Sequence, residues 1–220
     1  MEVIRIIKDE SLIFGKTGLD VSSSIDPNDV TSFAPTKVLE TKEVNLGGWY
    51  VDIEATLSEK SKIEQDYILL GDTKSKGVQP FRVHNKEVKK RRVLARAYHV
   101  MFDSELYVVE DYSADKLGTL AVLNGLNNNL DRPSPYTFTV SHAGSTTMDF
   151  SGMTLLEAWE HLVDNKAALV EADWYRMYFR NELGRDRGVT ISHGKDPEDI
   201  VGTEDWSTVV TKIYPYTSGG

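Results

Sequence analysis

Trp49-Tyr50-Val51-Asp52-Ile53-Glu54-Ala55-Thr56-Leu57 alternates along its length. Trp49, Val51, Ile53, Ala55 and Leu57 are apolar, and Asp52, Glu54 and Thr56 are polar. A period of two puts one face on a core and the other toward water, which is a half-buried β-strand. Asn45-Leu46-Gly47-Gly48 just before it supplies the residues a turn with positive φ requires. Val38 to Val44 is then its hairpin partner in a meander, and residues 3 to 57 as a whole read as β.

Working outward, Gln79-Pro80-Phe81-Arg82-Val83-His84 is a short run with a proline near its start, which fits a strand beginning or a sheet edge. Val93 to Val100 is a longer strand, led in by Lys89-Lys90-Arg91-Arg92. After Asp103 the pattern changes. Leu117, Leu120, Leu123 and Leu126 recur behind a Ser113 N-cap and end at Asn127-Asn128-Asn129, predicting a helix. Leu155, Ala158, Trp159, Leu162 and Val163 form the apolar stripe of a second helix, opened by a Thr154/Glu157 capping box. Tyr136 to Val140 between the helices is a strand. Val170 to Arg180 is aromatic-rich and β-prone, and Asn181 to Gly184 turns it into a hairpin with Gly188 to Ser192. Trp206 to Tyr214 is a final strand, broken by Pro215.

This order predicts an α+β, mainly β chain. The expected division is a β-barrel-like domain from residues 1–97 plus 203–220, with an inserted α+β domain at 98–202. The last strand is expected to return to the first sheet.

Composition narrows the chemistry. With 220 residues, 40% apolar and 10% aromatic, the chain is long and apolar enough for a sizeable core. The net charge of −9 argues against tight nucleic-acid binding, which needs clustered Lys and Arg. The absence of cysteine removes disulfides, thiolate metal sites and a cysteine nucleophile. No apolar run approaches the ~20 residues that span a bilayer. Met1 to Lys8 carries charges inside its apolar run and has no small-residue cleavage site, so it reads as a strand and not a signal peptide.

Several motifs weaken on inspection. Gly15-Lys16-Thr17 resembles the end of a phosphate loop, but Glu10 stands where the first glycine belongs. His84, His99, His142, His161 and His193 show no metal-ligand spacing, and His161 with Glu157 reads as a solvated pair. Ser141-His142-Ala143-Gly144-Ser145 lacks the strand-to-helix elbow of a serine nucleophile. Lys89 to Arg92 reads as a solvated hairpin end, and Arg185-Asp186-Arg187 as a local ion pair near a hairpin tip. Trp174, Tyr175, Tyr178 and Phe179 fit either a covered sheet or a subunit contact. No residue is therefore assigned to catalysis, cofactor binding or metal binding. An enzymatic alternative would draw on His142, Glu157 and Asp173, and a glycan-binding alternative on Trp174.

Arg185-Asp-Arg-Gly-Val-Thr-Ile191, His193-Gly-Lys195 and Val209-Val-Thr-Lys-Ile-Tyr-Pro-Tyr216 resemble the N-terminal region of the phage tail-associated lysin, or prophage endopeptidase tail, family. Gln79 to Val83, Ala95 to Asp103 and Met153 to Leu162 are similar in the same order. The resemblance implies a non-enzymatic structural protein of the virion tail tip, the baseplate hub of a siphophage or prophage, similar to the hub of contractile tails. It implies a homotrimeric ring below a distal tail protein that closes the tube and opens for the tape measure protein and DNA. It implies no cofactor, DNA passage without specific binding, and assembly in the bacterial host cytoplasm. Family hubs continue past the Ile-Tyr-Pro-Tyr strand into a second barrel, so a chain ending at Gly220 is expected to be a fragment. A peptidoglycan-degrading endopeptidase module would then lie beyond residue 220. A tail lysin acting on peptidoglycan is the alternative.

Overall fold

The alternating segment Trp49–Thr56 lies inside a seven-stranded antiparallel sheet. The computed structural model describes residues 2–8, 13–14, 30–43, 45–73, 76–141, 144–166 and 169–180. The strands of this sheet are β1 (Glu2–Ile7), β2 (Val30–Thr31), β3 (Pro35–Lys42), β4 (Trp49–Thr56), β5 (Ile68–Thr73), β6 (Gly77–Val88) and β7 (Arg92–His99). Their spatial order is β2-β1-β5-β6-β7-β4-β3. The sheet curls into a half-barrel, and β1 comes near β3 across the curl. The fold is α+β and mainly β, as the pattern of elements predicts.

Alternation decides which face is inside. Trp49, Val51, Ile53 and Ala55 are buried on β4, and Val93, Ala95, Ala97 and His99 on β7 beside it. Asn45 takes the positive φ, 57°, in the turn between β3 and β4, and the Glu43 N–H closes it on the Gly48 carbonyl at 2.7 Å. Leu57, expected to continue the buried face, is 43% exposed. Pairing with β7 ends at Thr56–Arg92, and the chain leaves the ladder in a short 3-10 turn at Leu57–Glu59.

Pro80 is neither at an edge nor at a strand start. It is the fourth residue of β6, which runs between β5 and β7. Its tolerance is local: β6 meets β7 only from Phe81–His99 onward, so one flank of Pro80 faces no strand.

Beyond β7 a 3-10 helix, Val100–Leu106, leads into β8 (Ser113–Gly118), α1 (Thr119–Asn128), β9 (Thr137–Val140), β10 (Ser145–Asp149), α2 (Leu155–Lys166), β11 (Leu169–Asp173) and β12 (Arg176–Arg180). β8 and β10 form an antiparallel ribbon, and β11-β12-β9 a three-stranded sheet in which β12 and β9 run parallel. The Ser113 N-cap is overturned, because residues 113–118 are strand and the helix starts at Thr119. Leucines repeating every three residues drift backward by about 60° per step around a helix that turns about 100° per residue, so a run of four cannot all share one face. The buried set is Thr119, Val122, Leu123 and Leu126, at i, i+3, i+4 and i+7, while Leu120 is 44% exposed.

The second helix follows its sequence pattern. The Thr154 N–H donates to the Glu157 carboxylate at 2.8 Å, and the Glu157 N–H donates to Thr154 Oγ1 at 3.2 Å. Leu155, Ala158, Trp159, Leu162 and Val163 are buried. Around Trp159 stand Tyr136, Phe138 and Phe179, all edge-on, with Tyr136 closest at 5.0 Å.

The run expected as one strand at 170–180 is a hairpin of its own. β11 and β12 pair from Leu169–Arg180 to Asp173–Arg176, and Trp174, with φ of 57°, makes the tip. The strands expected at 188–192 and 206–214 lie outside the described residues, as does the pairing of the latter with the first sheet.

Candidate functional site

Two places concentrate polar and aromatic groups. The first is a buried network where the curled sheet meets the β11–β12 hairpin. His99 ends β7 with no exposed surface, stacked on Trp49 at 4.2 Å and edge-on to Phe81. Its Nδ1 accepts the Met101 N–H at 3.1 Å, so the ring proton sits on Nε2 and is donated to Gln79 Oε1 at 3.2 Å. Gln79 is equally buried. Its Oε1 also accepts the Trp174 N–H at 3.0 Å, and its Nε2 donates to Asp173 Oδ1 at 2.9 Å and to the Lys76 carbonyl at 3.2 Å. Trp174 Nε1 donates to the Val78 carbonyl at 2.8 Å, and the Val170 N–H to Asn45 Oδ1 at 3.0 Å. Burial, aided by the Lys42 charge, holds the His99 pKa well below the ordinary histidine value. Lys42 Nζ lies 3.8 Å over the Trp49 ring, and burial lowers its own pKa.

The network couples the curled sheet to the β11–β12 hairpin. A neutral histidine sandwiched by aromatic rings, with both nitrogens engaged, has no free position for a substrate or a metal ion. Its work is to fix one packing of hairpin on sheet.

The second place is a cleft of about 630 Å³ between the middle of β6, the end of β7, the turn at residues 46–48, the 3-10 helix Val100–Leu106 and α2. Arg82 crosses it to Asp103 with two hydrogen bonds, Nε to Oδ1 at 2.9 Å and Nη2 to Oδ2 at 2.8 Å. That planar pair fastens β6 to the 3-10 helix. Tyr98 is edge-on to both His84 and Phe102, at 5.5 Å and 6.1 Å. Glu105 and Glu160 close the cleft from the helical side.

Two of the three residues weighed for enzymatic chemistry are spent elsewhere. Glu157 caps α2, its carboxyl held below the usual value by the Thr154 N–H and hydroxyl. Asp173 holds Gln79, and His142 lies outside the described residues. His84 and His161 are exposed. Among the described residues no group of three or more His, Cys, Asp or Glu could hold a metal ion. Gly15 to Thr17, His193 and Arg185 to Arg187 also lie outside the described residues. Trp174 is 1% exposed, so it is not a glycan platform. Sequence reasoning missed Gln79 and the Arg82–Asp103 pair. Both fall in segments already singled out, but partners at such separations carry no periodic signal.

No protein-family model matches the sequence, and neither does any curated protein. Solved structures do share the fold. A prophage tail protein, gp18, from Listeria monocytogenes superposes with a TM-score of 0.57 at 11% identity, covering 70% of this chain and 47% of that one. The 43 kDa tail protein of prophage MuSo2 from Shewanella oneidensis gives 0.56 at 12% identity, covering 90% of this chain and 58% of that one. The chain thus spans about half the length of these two neighbours. At such identities the likeness is one of fold, and that fold is found in phage tail proteins.

Proposed function

We propose that this chain is a non-enzymatic structural protein of a phage or prophage tail, the baseplate-hub portion of the tail tip. The observation that carries the reading is the half-barrel sheet with its helical continuation, shared with two prophage tail proteins. Supporting it, the polar groups most suited to chemistry are occupied in packing: His99 in the core, Glu157 at a helix cap and Asp173 on Gln79. In this reading three copies form a ring under the distal tail protein. The ring closes the tube in the virion and opens for the tape measure protein and the genome. The division into a hub domain at 1–97 plus 203–220 and an insertion at 98–202 belongs to the same proposal. No helix among the described residues is long and apolar enough to cross a membrane. The net charge of −9 suits a wall past which DNA moves without sticking.

Co-expression with a phage distal tail protein tests the assignment. Co-elution of the two on size exclusion, with light scattering giving three copies of this chain, is the expected result. Zymography on Gram-positive cell walls is expected to show no clearing. Clearing by the full chain would establish the lysin alternative instead.

A further inference from the structure

The β6–β7 hairpin ends in opposite charges. At its tip Lys89, Lys90, Arg91 and Arg92 follow one another, all exposed. Lys89 reaches Glu87 at 3.3 Å and Arg92 reaches Glu54 at 3.0 Å. Lys90 and Arg91 make no ion pair among the described residues. In a chain of net charge −9 this is a concentrated positive point.

At its base the same hairpin forms one wall of the 630 Å³ cleft, where, among the described residues, Asp66, Asp103, Glu105 and Glu160 face a single guanidinium, Arg82. Arg82 is already matched by Asp103, and among the described residues no cation pairs with the other three carboxylates. Burial, with repulsion from Asp164, Glu157 and Glu105, holds the Glu160 carboxyl above its usual value. Tyr98 and Phe102 add aromatic surface, so the cleft offers carboxylates and ring faces together. Those are the two groups that hold ammonium and guanidinium ions best. A cleft of this volume falls within the ~300–1,000 Å³ of sites that bury small-molecule ligands, so it is roomy enough for a lysine or arginine side chain.

We propose that the basic tip Lys89–Arg92 of one copy docks in the acidic, aromatic cleft of a second copy. A chain cannot satisfy its own cleft, because Lys90 lies eight residues beyond Arg82 on extended backbone, roughly 26 Å away. Donor and acceptor therefore sit on different surfaces of each copy. Such a head-to-tail contact propagates, and it closes into a ring wherever the rotation per copy allows. The inference goes beyond the tail reading, since the contact needs only two copies of this chain.

Sedimentation velocity of the full chain tests it. Self-association is expected, with a dissociation constant at least about tenfold weaker at about 500 mM than at about 50 mM salt. Lys90→Glu/Arg91→Glu at the tip, or Glu105→Lys/Glu160→Lys in the cleft, is expected to leave monomers. These exposed positions carry no core packing, and circular dichroism confirms that the variants fold. Mixing the two variants restores association, because each then presents one complementary pair. A monomeric wild-type chain at all salt concentrations overturns the proposal, as does association that survives tip reversal. Tip-dependent binding of a duplex DNA probe without self-association would overturn it too. Association without co-elution of a distal tail protein would sink the tail reading and leave this one standing.

Discussion

His99 fills a position where a phenylalanine would match the apolar surroundings, and its two hydrogen bonds explain why a histidine fits. Its neutral form is the one that packs. The unfolded chain takes up a proton near pH 6.5 and the folded chain does not, so stability is full above that pH and declines below it. Equilibrium urea unfolding between about pH 5 and 7 is expected to show this decline, approaching one proton per molecule, and His99→Gln is expected to flatten it. Gly125 gives a second test at this scale. Alanine normally favours a helix interior by about 1 kcal/mol over glycine. Here a methyl group at Gly125 would overlap the Tyr112 ring, so Gly125→Ala is expected to lower the melting temperature. Trp174→Ala removes a fully buried indole and is expected to cost about 3–5 kcal/mol in denaturant unfolding.

Elements whose pattern satisfies one local rule were legible from the sequence. β4 shows strict alternation, and α2 combines a capping box with a broad stripe, so one periodicity determines each. Thr154→Ala is expected to destabilise the chain by about 1 kcal/mol, read by thermal or urea unfolding. Elements shaped by distant partners were not legible. β8 and β10 are short, and only their pairing makes them strands. The 169–180 hairpin hides its turn in Trp174-Tyr175, because an aromatic residue at positive φ is rare and is held there by Gln79 and Val78. The leucine spacing near α1 misled because a period of three differs from that of a helix. For the candidate sites, the basic tip was plain in the sequence. The acidic cleft was not, since its carboxylates come from a loop, a 3-10 helix and α2.

For the whole molecule, order comes from joining a local meander to a later α+β segment. β3, β4, β6 and β7 form hairpins or near neighbours, and Asn45, Gln79, Val78 and Arg82 then bind the later segment from the sheet side. Gln79→Ala strands the buried His99 proton, the Asp173 carboxylate and the Trp174 N–H together. It is therefore expected to loosen the hairpin more than the sheet, read as faster amide exchange in β11 and β12 than in β4 and β7. Uniform loss of protection across all four strands would count against this division of labour.

The position of β1 sets a timetable for synthesis. Its six residues leave the ribosome well before the strand they pair with along most of their length, β5, which begins only at Ile68. β1 must therefore wait as an apolar strand with bare edges while β3 and β4 zip together behind it. A nascent chain stalled before β5 emerges should recruit chaperones through Val3 to Ile7, and one stalled after β6 should not.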